Sequence, residues 1–213
     1  MVHTVPLVST VPLPRRPRDP GTPQGPVRRW YEEGLGWATA PGEPLRLVTG
    51  LRFDVLEAPA EAGFAALRHL GPASPVAVHG QRMRLLVAAG SAEELPGLLD
   101  WLEWGALALD LTAIGAGGHI EAPPPPCGAP ASGSPDPAGT CRPLDPHRIG
   151  SQGAAVWLRP PEPGCEIETL LPTLSAVGGG GGAPDLVRLV DTMATQCHRV
   201  RLRRACAQPL AFS

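Results

Sequence analysis

The chain contains no lysine and no asparagine, and all 18 of its basic residues are arginine. That bias reads as the coding preference of a GC-rich genome rather than a functional choice. Charge is scarce, at 18% of residues, and the formal net charge is −2. Whole-chain charge therefore argues neither for nor against a nucleic-acid partner. No apolar run reaches membrane-spanning length, so no membrane partner is expected. The first twenty residues, MVHTVPLVSTVPLPRRPRDP, lack a basic segment ahead of a continuous apolar stretch, so no secretory signal is expected. The five cysteines (Cys127, Cys141, Cys165, Cys197 and Cys206) include no CxxC pair and are odd in number. They are expected to be free thiols in a reducing cytoplasm, and a Cys–His zinc site would require distant residues to converge. Walker, GxSxG and HExxH motifs are absent, so the chemistries they carry are not indicated.

Glycine and proline are abundant, with 26 and 28 copies making up about a quarter of the 213 residues. They are unevenly spread. Residues 1–25, with Arg15, Arg16 and Arg18 among prolines, read as a disordered tail. Residues 123–150 read as a disordered insertion in one domain spanning 26–206, and 207–213 as a second tail. Within the domain, a short helix is expected over Pro26–Glu33, a strand from Trp37 and two short strands over Leu45–Leu56. A helix follows over Ala60–Leu70, then strands at Pro75–His79 and Arg82–Ala88. Ser91 and Glu94 form a capping-box pattern, although Pro96 suggests a helix start nearer Leu95. Strands are expected at Leu107–Ala113, at His119–Ala122 across a glycine turn, and at Ala154–Leu158. A helix broken at Pro172 is expected over Glu166–Val177. The last helix, after Pro184, has an apolar stripe through Leu186, Leu189, Val190, Met193, Cys197 and Val200, with Asp185 at one end and arginines at the other. These elements predict an α+β fold, with a mixed, mostly antiparallel sheet and packed helices.

Three features could carry chemistry. Asp54 and Asp110 each lie in an apolar strand-like run, RFDVLE and LALDLT, where an acid is costly to bury without a partner. Acids on neighbouring strands can hold a divalent cation, and a strand acid paired with arginine is the competing reading. Glu57 stands at an odd offset from Asp54 and should face away from it. Arg82 and Arg84 should share a face that can meet phosphates, or simply be solvated. His79 and His119 are candidate ligands or general bases, whereas His69 reads as surface.

The order of these parts resembles the bifunctional DNA primase/polymerase N-terminal domain family of actinobacterial and mobile-element proteins. The resemblance rests on GWATAP (36–41), the acid-bearing strand at Asp54, the histidine-bearing strand pair, and DLTAIGAGGHIEAPPPP (110–126). It implies a Prim-Pol-like fold, catalytic and metal-binding roles for Asp54 and Asp110, and nucleotide contacts by His79, Arg82 and Arg84. Mg²⁺ or Mn²⁺ would be the cofactor, and nucleotide or nucleic acid the partner. The chain departs from the pattern in three places. The second acid of the D-x-D pair is absent, the expected histidine is displaced to His79, and the lysine-bearing loop after the GW strand is replaced by GEP. These departures imply a nucleotidyltransferase-like pseudoenzyme with weak metal binding. The alternatives are a small interaction or regulatory scaffold with no nucleic-acid role, and an active metal-dependent nucleotidyltransferase using Asp54, Glu57 and Asp110.

Overall fold

The structure, a computed structural model, describes residues 25–126, 153–174 and 185–206. The expected N-terminal tail, nearly all of the insertion, the last residues, and Cys127 and Cys141 lie outside the described residues.

The fold is α+β, with two antiparallel sheets. β1 (Thr39–Ala40), β2 (Arg46–Val48) and β7 (His119–Glu121) form the smaller sheet in the order β1-β2-β7. The larger sheet is formed by β3 (Asp54–Pro59), β4 (Val76–His79), β5 (Arg82–Val87), β6 (Thr112–Ile114) and β8 (Ala155–Arg159), in the order β6-β3-β5-β4-β8. α1 (Gly25–Arg29) continues into a short π-helical turn at Trp30–Gly34. α2 (Ala60–Ala66), α3 (Ser91–Trp101) and α4 (Leu186–Cys206) cover one face of the larger sheet.

Strand alternation divides the core in two. Leu56, Met83, Leu85, Val87, Val76 and Val78 face the helices and meet the apolar stripe of α4. Val55, Leu86, Ala77 and Trp157 face the other way, toward Trp30, Tyr31, Trp37, Phe53, Leu47 and Ile120. The Tyr31 hydroxyl donates to the Pro123 carbonyl at 2.6 Å and accepts the Trp157 indole N–H at 3.0 Å, whereas the buried indole nitrogens of Trp30 and Trp37 have no hydrogen-bond partner among the described residues.

Several expectations change. Leu107–Leu111 is not strand, and β6 begins only at Thr112. β7 does not pair with β6 across the glycine turn but joins β2 in the other sheet. Of the helix expected over Glu166–Val177, the described part, to residue 174, holds only a 3₁₀ turn at Ile167–Leu170, because Pro172 withholds an amide; residues 175–177 lie outside the described residues. α3 starts at Ser91 despite Pro96. Its first turn is capped not by the Ser91 hydroxyl but by Asp54, whose Oδ2 accepts the Ala92 N–H at 2.9 Å. In α4, Asp185 does cap the helix, accepting from the Val187 amide at 2.9 Å.

The glycine turn has a packing role. Gly50 has φ +85°, and a Cβ there would overlap the Cα and N of Ala116. The adjoining Thr49 hydroxyl donates to the Gly115 carbonyl at 2.6 Å, joining the two loops. Gly50→Ala combines backbone strain with a backbone clash, so it is expected to destabilise the fold by about 3 kcal/mol or more, read as a lowered urea midpoint.

Candidate functional site

The functional residues expected from the sequence fall on opposite sides of the larger sheet. Asp54 shares the helix-covered face with Leu56 and is fully buried. Glu57, at odd offset, projects from the other face, as expected. Asp110 is not buried in a strand: it lies in the bend before β6, with its side chain 46% exposed. The expectation of a buried strand acid fails there because the stretch from Leu107 meets no neighbouring strand until Thr112 pairs with Glu57. That register puts at least three residues of β3, about 10 Å, between the levels of Asp54 and Asp110. The two carboxylates do not converge, and Asp54 lies on the opposite face of the sheet from Glu57.

What does converge is a row of charge. β3 and β5 pair Glu57 opposite Arg84 and Pro59 opposite Arg82, and β4 places His79 opposite Arg82. The side chains of Glu57, Arg84, Arg82 and His79 all project from the face away from the helices. Arg84 Nε donates to Glu57 Oε2 at 2.7 Å, and Arg82 Nε donates to Glu57 Oε1 at 3.1 Å. Arg82 also donates from Nη1 to Asp110 Oδ1, whose other oxygen lies 3.9 Å from Arg204 Nη1. Arg84 Nη2 lies 3.1 Å from His79 Nδ1, and His79 Nε2 lies 3.4 Å from Glu121 Oε2. Six side chains therefore run in sequence across the sheet: Asp110, Arg82, Glu57, Arg84, His79 and Glu121. Sequence reasoning names His79, Arg82, Arg84 and Asp110, gives Glu57 a place only in the alternative metal set with Asp54 and Asp110, and misses Glu121. The readable signal was an acid on one strand facing the Arg-x-Arg alternation of its neighbour. His119 is exposed on β7, and His69 is half-buried with its Nε2 2.8 Å from the Thr192 hydroxyl.

The electrostatics of the two acids differ in sign. Burial alone would raise the Glu57 pKa, but the hydrogen bonds and charge of Arg84 and then Arg82 outweigh it and hold the group below the ordinary 4.5. Burial raises Asp54 above the ordinary 3.8; the Ala92 amide opposes this and the Glu93 charge reinforces it. Asp54 Oδ1 is buried with no hydrogen-bond partner among the described residues. Burial, and then the negative charge of Asp110, push the Cys197 thiol up to about 11, and its Sγ lies 3.5 Å from the Asp110 carbonyl oxygen. That thiol is a packed apolar group rather than a nucleophile.

The residues do not fit the divalent cation that the resemblance implies. Asp54 serves as the cap of α3, and Asp110 is held by arginine. Among the described residues, no group of three or more His, Cys, Asp or Glu side chains is placed to hold a metal. No helix among them is long and apolar enough to cross a membrane. No family model, curated protein or solved structure matches the chain.

Two measurements check this geometry. Glu57→Gln leaves the nearly buried Arg84 without its anion, so it is expected to cost about 3 kcal/mol. Asp110→Asn breaks a more exposed pair and is expected to cost under about 1 kcal/mol. Equal losses in urea unfolding would contradict the ordering. Asp54 titrates above its unfolded value, so the folded state holds a proton that the unfolded chain has released. Its contribution to stability therefore falls as pH rises from 3.8 through the raised value. Subtracting the Asp54→Asn stability curve from that of the wild type is expected to show this decline. Parallel curves would contradict it.

Proposed function

We propose that the chain is a primase/polymerase-like domain without catalytic activity, which keeps contact with nucleic-acid phosphates through arginine. The observation that carries the reading is the fate of the two expected metal acids. Asp110 is held by Arg82, and Asp54 faces the opposite side of the sheet. Divalent-cation chemistry needs several carboxylates aimed at one point. Here Arg82 and Arg84 are already matched by the carboxylates of Glu57 and Asp110, so phosphate contact falls to the arginines at the edge of this face.

Binding is supported by the arginines at the edge of this face. Arg199, Arg201, Arg203 and Arg204 are exposed along the end of α4, and Arg204 reaches Asp110 at the end of the charge row. Contacts of this kind position a phosphate backbone without reading its bases.

The second reading, an interaction scaffold, is favoured by one observation: Arg82 is already shared between Glu57 and Asp110. Two experiments separate these readings. Purified protein with Mn²⁺, template and labelled nucleotides is expected to start and extend no primer. A product that disappears in Asp110→Ala would overturn the loss of catalysis. Anisotropy of a labelled single-stranded oligonucleotide is expected to report binding that weakens with salt. Arg199→Ala and Arg203→Ala should each reduce the log–log salt slope by about 0.7. No binding at low salt would favour the scaffold.

A further inference from the structure

Phe64 is placed unlike most aromatic residues of the chain. Trp30, Tyr31, Trp37, Phe53 and Trp157 pack together in one core, whereas Phe64 belongs to neither core and is 47% exposed. It lines an open cavity of about 290 Å³ beside the turn of the β4–β5 hairpin, together with Pro59, Glu61, Gln81 and Arg204. Its position is fixed by the residue before it. Gly63 lies so close to β5 that a Cβ there would overlap the Met83 side chain, which holds α2 tightly on the sheet. The Ala60 amide donates to the Gln81 carbonyl at 2.8 Å, tying the hairpin turn to the start of the helix. The walls of the cavity are therefore set before any ligand enters.

The charge around this cavity is in positive excess. The end of α4 meets the start of α2, where Arg203 donates to Glu61. Among the described residues, the four exposed arginines Arg199, Arg201, Arg203 and Arg204 meet only two carboxylates, Glu61 and Asp110, and Asp110 is shared with Arg82. Arg201 donates to the Ala108 carbonyl, which leaves its charge uncompensated. The Arg203 and Glu61 side chains are both more than half exposed, so their pair contributes little and opens readily to a competing anion.

A flat aromatic face beside surplus guanidinium charge matches a planar ring carried on a phosphate chain. A second copy would set arginines against arginines. In a duplex the base faces cover one another, so only an unpaired base can lie on the ring. We propose that Phe64 stacks on one unpaired base of a single-stranded nucleic acid, while Arg203 and Arg204 hold the phosphates beside it. This rests on the nucleic-acid reading and adds to it a preference for single strands. Stacking accepts any base, so the contact reads no sequence.

The test uses the full-length chain and a labelled oligothymidylate, followed by anisotropy at low salt. Phe64→Leu is expected to weaken binding about tenfold, the loss of one stacked base. The log–log salt slope should not change, because no phosphate contact is removed. Phe64→Trp should bind at least as tightly as the wild type. An oligomer of the same length without bases, and the duplex of oligothymidylate with its complement, should each bind wild type and Phe64→Leu alike. Equal affinity of wild type and Phe64→Leu for the oligothymidylate would overturn the inference and leave the arginine contacts standing. A loss that persists with the baseless oligomer would also overturn it, by making Phe64 a structural residue. If the wild type binds no oligothymidylate at low salt, the inference falls together with the nucleic-acid reading.

Discussion

The Glu57 carboxylate accepts from two guanidinium groups on the face of a five-stranded sheet, one oxygen to Arg82 and the other to Arg84. Ions this poorly exposed lose hydration on folding, and their mutual attraction offsets the loss only when the geometry satisfies both partners. The register of β3 on β5 supplies that geometry, because it sets Glu57 directly opposite Arg84. Slipping the register by one residue would turn Glu57 into the apolar layer beneath the helices and leave both arginines without their anion. The charge row therefore fixes the pairing of the central strands as firmly as the apolar side chains do. It also determines what surrounds it. With Arg82 anchored by Glu57, Asp110 in the bend before β6 becomes a second ligand of the same arginine, and His79 and Glu121 extend the row from Arg84.

Asp54 belongs to the other side of this arrangement. A carboxylate at the start of β3 lies beneath the first turn of α3, where free amides attract negative charge. It joins the helix layer to the sheet, at the expense of a buried oxygen without a partner. The two acids that look equivalent in sequence thus do unlike work. One holds a helix end, and the other closes an ion-pair network at the surface. Neither arrangement leaves lone pairs collected at one point for a cation.

Much of the fold was legible where periodicity was strong. The hairpin of β4 and β5, the apolar stripe of α4 and its Asp185 cap follow from local pattern alone, as does the turning of Glu57 away from Asp54. The glycine turn was legible as a turn but not as a bridge between sheets. Ile114 and His119 flank it, yet they belong to different sheets, and that choice is made by pairing with β3 and β2 far away in sequence. Asp110 was misplaced because Leu107 and Leu109 look like strand residues. Their apolar character instead serves packing against α4 and partial exposure. The partnership of Asp110 with Arg82 could not be read from spacing, since it depends on a cross-strand register rather than on neighbours in the chain.

The central claim is that Glu57 exists to hold arginine. Its side-chain carboxyl can be followed directly by ¹³C-detected pH titration of the full-length chain, with the resonance assigned from Glu57→Gln. Held by Arg84 and Arg82, the group is predicted to titrate with a midpoint below 4.5, the ordinary glutamate value. A midpoint at or above that value would mean that the ion pairs do not form in solution, and the account of this sheet face would fail.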